Sequence, residues 1–332
     1  MIDLTQPEIQ FATSVVRKAC QMAQRVQTGM AVQGLTKSDF SPVTVADFAV
    51  QAVVGRALAE ALPEAVLVGE ESSKDLKTDE GQPVLEAVTT FVKLLADDAT
   101  PDRVCDWIDH GLAEPGDRFW TLDPIDGTKG YLRGGQYAIA LALIENGQVQ
   151  LGVLGCPNLG DNCQPDMGIG ALAVAKRGEG AWLNVLVDPE DQFTPLHAST
   201  CADPKQARIM RSVEAGHTNV GEIDHIAEKL AVEAEPVCMD SQAKYATLAA
   251  GGAEVLLRLL SPKKPDYKEC IWDQAAGSMV LEEAGGKITD LKGNPLDFSQ
   301  GRRLNNNTGV CATNGPLHGA VLDAIAAVCQ LP

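Results

Sequence analysis

The sequence predicts a layered α/β fold, with helices packed on an antiparallel sheet in the first half and strands alternating with helices in the second. Three observations predict it. Apolar residues recur at helical spacing from Ile9 to Val26. Two strand-like runs, 137–145 and 148–154, flank Asn146-Gly147, a dipeptide suited to the left-handed positions of a tight hairpin. Further on, apolar runs near 207–211, 236–239, 253–260 and 309–313 alternate with helical segments near 221–233, 241–251, 271–284 and 316–329.

The first helix follows Thr5-Gln6-Pro7-Glu8, a capping-box pattern, and ends near Gly29. A second is expected after Thr44, with Asp47 in its first turn, Val50, Val53, Val54, Ala57 and Leu58 buried, and Pro63 ending it. Residues 65–69 read as a short buried strand that ends in Glu70-Glu71. A helix near 84–96 leads into 97–118, rich in Asp, Pro and Gly without clear period, which reads as a surface excursion. A strand over 119–122 then runs straight into Asp123-Pro124-Ile125-Asp126-Gly127-Thr128. Gly251-Gly252 and Gly285-Gly286 stand where helices should end in left-handed caps. The character changes within the polar stretch 184–206, which divides the chain into a 1–190 half and a 191–332 half.

The 332 residues hold 27 Lys and Arg against 45 Asp and Glu, a net charge of −18. Such a surface repels nucleic-acid polymers and anionic membranes, so neither is an expected partner. A small phosphorylated ligand fits only if cations or a local basic cluster offset the field. No apolar run approaches the ~20 residues that span a bilayer, and the N-terminus lacks the regions of a signal peptide, so a soluble cytoplasmic protein is expected. Nine cysteines, none in a Cys-x-x-Cys pair, fit reduced thiols, although Cys156 and Cys163 are near enough in sequence to pair.

The informative feature is the placement of acids. Asp47 opens a helix, Glu70 and Glu71 end a strand, Asp123 and Asp126 end another, and Asp273 opens a helix. Two acids three apart, leaving an apolar strand that carries Trp120, are not comfortably desolvated together without a cation. Hard divalent ions take carboxylates, main-chain carbonyls and water, and the Ile125 carbonyl lies between the two acids. Gly127 and Thr128 then offer N–H groups and a hydroxyl at a helix start, a setting that suits phosphate. A Mg²⁺–phosphate site and a structural turn with solvated acids are the two readings the residues leave open. Competing chemistries lack their motifs: there is no P-loop, no dinucleotide fingerprint, no nucleophile elbow and no His-Glu-x-x-His.

Gly69-Glu70-Glu71-Ser72, then 120–128, then Trp272-Asp273 with a helix ending at Glu283-Ala284-Gly285-Gly286 resemble the inositol-monophosphatase superfamily, in its order and over nearly the whole chain. The resemblance implies an α-β-α-β-α sandwich. Residues 41–47, Lys129 to Gly134, Ser241-Gln242-Ala243-Lys244-Tyr245, Arg258 and 267–273 are similar to its branch of 3′(2′),5′-bisphosphate nucleotidases. That branch implies hydrolysis of the 3′-phosphate of adenosine 3′,5′-bisphosphate, and of its sulfated form as a further substrate.

By position, the resemblance implies that Glu70, Asp123, Asp126, Asp273 and the Ile125 carbonyl bind two or three Mg²⁺ ions, with Glu71 behind them. Asp47, paired with the Thr128 hydroxyl, would orient and deprotonate the attacking water. Gly127 and Thr128 would meet the phosphate, Asp240, Ser241 and His217 the nucleoside, and Lys244 and Arg258 the phosphate that is retained. It also implies inhibition by lithium; a monomer or weak homodimer is the expected assembly. Read without it, Lys244 looks like a surface charge, whereas Arg258 stands within Val255-Leu256-Leu257-Arg258-Leu259-Leu260, where an unpaired cation is costly. Lys129 and Arg133 are expected only to shape a loop, Lys263-Lys264 to be a solvated turn, and Trp107, Trp182 and Phe193 to be packing anchors. Rival readings are an inositol phosphate phosphatase of the same superfamily, and a non-catalytic Mg²⁺ or nucleotide sensor.

Overall fold

A computed structural model describes residues 2–33, 41–160, 162–187, 192–213 and 220–329. In chain order the first part forms α1 (Pro7–Gln33), α2 (Pro42–Ala61), β1 (Leu67–Gly69), α3 (Gln82–Val92), α4 (Pro101–Asp109), β2 (Arg118–Asp126), α5 (Thr128–Arg133), β3 (Ala138–Glu145), β4 (Gln148–Cys156), β5 (Ala171–Lys176), β6 (Gly180–Val185) and β7 (Thr194–Pro195). There follow β8 (Ile209–Arg211), α6 (Val220–Lys229), β9 (Val237–Cys238), α7 (Ala243–Ala249), β10 (Val255–Arg258), α8 (Ala275–Glu283), β11 (Lys287–Thr289), β12 (Val310–Thr313) and α9 (His318–Val328).

The strands β1 to β7 make one sheet in sequence order, and β11-β12-β10-β8-β9 make a second. Both faces of each are covered, so the strands read as near-continuous apolar runs. Along β3, Leu141 and Leu143 point into a core shared with α1, α2, α3 and α4, while Ala140, Ala142 and Ile144 point to the opposite face. That second core takes in Met279 and Val280 of α8, Ala246 of α7 and Ala312 of β12. A third core joins Val255 and Cys311 to Ile226 of α6 and Ile325 of α9. The layers are therefore helix, sheet, helix, sheet, helix.

The central helix layer sits close to the first sheet. A Cβ at Gly152 of β4 would lie 2.7 Å from the Ala276 carbonyl oxygen and 2.9 Å from the Met279 Cβ. Gly152→Ala is expected to destabilise the fold by about 2–3 kcal/mol. Urea unfolding checks it, and an unchanged midpoint would show that α8 can move away.

Several boundaries differ from the sequence reading, each for a local reason. Thr5 does not cap α1; its amide and hydroxyl both donate to Asp3 Oδ1, at 2.9 and 2.6 Å. α1 runs past Gly29 to Gln33, because Gly29 packs against Phe91 and does not end the helix. α2 starts at Pro42, whose fixed φ suits a first turn, so Asp47 stands in the second turn. The expected excursion at 97–118 contains α4, capped by the Thr100 side chain and burying Val104, Cys105 and Ile108. At 20 residues α2 is long and apolar enough to cross a membrane, contrary to expectation, but 67% of its apolar window is buried inside the fold, as in a core helix. β5, β6, β7 and β11 were not expected.

Candidate active site

β1 is parallel to β2, unlike the other pairs of that sheet, and pairs Gly69 with Leu122. Glu70 and Asp123 thus leave the same end of adjacent strands. β2 does not stop there. It continues through Asp126 with a bulge, in which Asp123 pairs with Ala140 and Asp126 with Ala138, leaving Pro124 and Ile125 opposite Ile139 alone. Pro124, which has no N–H for the ladder, sits in the bulge. The expected turn is this bulge, and it turns both acids to one side.

A cavity of about 700 Å³ opens at that point. Glu70, Asp123, Ile125, Asp126, Gly127, Thr128, Asp240, Ser241, Lys244, Arg258 and Asp273 all line it. The Ile125 side chain belongs to the first core, so its main chain is the part that borders the cavity. Gly127 has φ +91°, and a Cβ there would come within 2.7 Å of the Ser241 Cβ; the position has room only for glycine. Asp47 does not line the cavity; it faces Glu70 and Glu71 from α2. No hydrogen bond joins it to the Thr128 hydroxyl among the described residues. His217 lies outside the described residues.

The acids crowd one another. Burial, then Glu70, Asp126 and Asp273, hold Asp123 well above the usual carboxylate range. Desolvation, then Asp273, Glu71 and Asp126, push Glu70 up to about 8, although its side chain still reaches solvent at the rim. Asp273 rises to about 7, through burial first; Arg258 opposes this and Asp126 adds to it. Asp47 is raised by burial and then by Glu71 and Glu70. Asp123 Oδ1 is buried with no hydrogen-bond partner, an oxygen that a cation would satisfy. Among the described residues no three carboxylate, thiolate or imidazole side chains form a ready metal cage. A Mg²⁺ ion held by one or two carboxylates, a carbonyl and water does not need one, so the donor set fits hard divalent ions.

Two cations line the same cavity. Lys244 is the second residue of α7, and burial, then Arg258, lower its ammonium to about 8. Arg258 is the last residue of β10, not mid-strand as expected, and it is not unpaired: it bonds Glu269 at 2.7 Å and stands 3.9 Å from Asp273. Burial works against its charge, and these acids more than offset that.

Supporting residues were not visible in the sequence. Gln242 donates its backbone N–H to Asp126 Oδ2 at 2.6 Å and its side chain to the Trp272 carbonyl at 3.0 Å, tying the loop before α7 to both acid-bearing segments. Arg302 donates to the Gly69 carbonyl and lies 5.0 Å over the Trp272 ring, which holds the Glu70 and Asp273 segments together. Glu269 also accepts from Gln274, whose oxygen accepts from the Tyr245 hydroxyl at 2.5 Å. Arg133 pairs with Asp240, which fits its expected loop-shaping part. Lys263 and Lys264 stand on an exposed turn, as expected, and that turn also lines the cavity.

Comparison with known proteins shows the family. The model of the inositol monophosphatase family matches residues 4–328. The chain is 41% identical over 338 residues to a Schizosaccharomyces pombe 3′(2′),5′-bisphosphate nucleotidase, covering 97% of this chain and 95% of that one. It is 42% identical over 341 residues to an Oryza sativa 3′(2′),5′-bisphosphate nucleotidase, covering 96% and 93%. Among solved structures, a Thermotoga maritima IMPase shares the fold with a TM-score of 0.64 at 20% identity, covering 97% of this chain and 98% of that one. The chain belongs to the inositol monophosphatase family, within its branch of 3′(2′),5′-bisphosphate nucleotidases.

Proposed function

We propose that this protein hydrolyses the 3′-phosphate of adenosine 3′,5′-bisphosphate, giving adenosine 5′-monophosphate and inorganic phosphate. The observation that carries the reading is that one cavity is lined both by crowded carboxylates and by the cations Lys244 and Arg258. The names of the relatives support the substrate class. In this reading the 1–190 half supplies the metal ligands except Asp273, which comes from the 191–332 half that grips the nucleotide.

Glu70, Asp123, Asp126, Asp273 and the Ile125 carbonyl would hold two or three Mg²⁺ ions, which neutralise charge on the phosphoryl group and acidify a water. Asp47, raised above the usual carboxylate range by burial and by Glu71 and Glu70, takes the proton of the attacking water. The Thr128 hydroxyl orients the same water. Attack is in line: the water oxygen bonds phosphorus, the bond to O3′ breaks, and a proton passes to O3′. Lys244 and Arg258 bind the retained 5′-phosphate, while Asp240, Ser241 and His217 meet the nucleoside. Main-chain N–H groups of Gly127 and Thr128 point at the phosphate that leaves.

Product analysis tests this directly. Adenosine 5′-monophosphate should form; adenosine 3′-monophosphate would reverse the assignment of the two ends of the cavity.

The acid crowding carries a separate expectation. These carboxyls have folded-state values raised above the ordinary ~4 of an unfolded chain. The folded protein therefore binds more protons than the unfolded one over the interval from about pH 4 to about pH 8. Their contribution is most favourable at the acid end and is lost as pH rises. Without metal, Tm should fall across that interval, and excess Mg²⁺ should raise Tm more at its alkaline end. Calorimetry in chelated and Mg²⁺-loaded buffer checks it, and a Mg²⁺ shift independent of pH would contradict it.

A further inference from the structure

Asp47 and Glu70 reach the site from different elements, α2 and the end of β1. A side chain of α2 bridges the two. One turn beyond Asp47 on the same face of that helix stands Gln51, a polar residue with no exposed surface. Its amide bonds main-chain atoms: Nε2 donates to the Glu71 carbonyl at 2.7 Å and to the Ile108 carbonyl at 2.8 Å, and Oε1 accepts the Glu71 N–H at 2.9 Å. Past Gly69 the chain leaves its ladder with β2. There the Gln51 amide takes the place of a strand neighbour, engaging both the donor and the acceptor of residue 71.

Two glycines make room for it. A Cβ at Gly69 would lie 2.5 Å from Gln51 Oε1, and one at Gly111 would lie 2.6 Å from Nε2. Gly69 N donates in turn to the Gly111 carbonyl at 2.8 Å. Asp109, at the end of α4, accepts from Ser73 N at 2.9 Å and from Ser73 Oγ at 2.6 Å. The segment that carries Glu70 and Glu71 is thus fastened at Gly69, at Glu71 and at Ser73, and only the middle fastening comes from the helix of Asp47.

We propose that Gln51 is a positioning residue that sets Glu70, at the end of β1, against Asp47, on its own helix, so that metal ligand and proton acceptor keep one spacing; this rests on the roles proposed above. Gln51 does not line the cavity. It acts through the Glu71 peptide.

The test uses the full chain and three variants: Gln51→Met, Gly111→Ala and, as a control, Val174→Ala. Methionine keeps the length of the side chain and loses all three hydrogen bonds. Alanine at Gly111 keeps the Gln51 amide and pushes Nε2 aside. Val174→Ala opens a hole in the first core at β5, away from this junction. Calorimetric titration with Mg²⁺ alone gives Kd, and kinetics at saturating Mg²⁺ give kcat and KM for adenosine 3′,5′-bisphosphate. Gln51→Met should raise Kd about tenfold and lower kcat about tenfold, the lower end of what a partner behind a metal ligand contributes. KM should hold, because Lys244 and Arg258 stand on α7 and β10. Gly111→Ala should move Kd and kcat in the same directions by less, and it decides the matter if Gln51→Met does not fold. Val174→Ala should lower Tm alone. Kd and kcat in the junction variants equal to those of Val174→Ala would overturn the proposal, as would a rise in KM alone. A wild type that binds no Mg²⁺ in the titration is a different result: it removes the metal reading, and this proposal with it.

Discussion

Asp126→Ala is expected to lower phosphate release by about 10³-fold or more and to abolish the stabilisation by Mg²⁺ with it. Asp126 shares the cavity with Asp123 and Asp273, on the far side of the bulge that turns it inward. Its Oδ2 also accepts the Gln242 N–H, so alanine loosens the loop that carries Lys244. Asp126→Asn separates the two effects, since the amide oxygen can still accept from Gln242 while the charge is gone. The Asn variant should have a Tm at or above the wild-type value in chelated buffer, because one of the crowded charges is gone, and still lose turnover. Steady-state kinetics with calorimetric Mg²⁺ titration reads both, and phosphate release near the wild-type rate would remove Asp126 from the site.

Asp47→Asn carries the second large effect, a loss of about 10²–10⁴-fold in kcat, the range for a general base. Because Asp47 faces Glu70 and Glu71 without lining the cavity, KM and the Mg²⁺-dependent rise in Tm should both survive. The split matters. If KM rises while kcat holds, Asp47 supports the site from behind and does not handle the proton.

The carboxylates and Arg258 stood out because each stands in a short, unusual local context, whereas Lys244, which looks like a surface charge by itself, was singled out by the resemblance alone. Asp123 and Asp126 are separated by Pro124 and Ile125 at the end of an apolar run, and Arg258 interrupts five aliphatic residues. The bulge was not legible. One extra residue in β2 is defined only against Ala138 and Ala140 of its partner strand. β5 and β6 escaped because Ala171, Ala173, Ala175 and Ala181, weak strand formers, hold positions that a sheet buried on both faces accepts. α4 was obscured by Asp and Pro, although Thr100-Pro101 is a sound helix start.

Arg302 and Glu269 act through partners that only the tertiary fold supplies. Arg302 reaches Gly69 across 233 positions of sequence. Lys263-Lys264 has the look of any exposed turn, and its place at the cavity follows from where β10 ends. The five layers were expected from the resemblance. The three cores show the physical basis: strands apolar on both faces need helices on both sides.

The most direct measurement is phosphate release in Mg²⁺ from adenosine 3′,5′-bisphosphate and from inositol 1-phosphate at equal concentration. The cavity described here predicts that the nucleotide is preferred by about a hundredfold or more in kcat/KM, about 2.7 kcal/mol of transition-state discrimination. Equal rates, or a preference for inositol 1-phosphate, would contradict the nucleotide site built around Lys244 and Arg258.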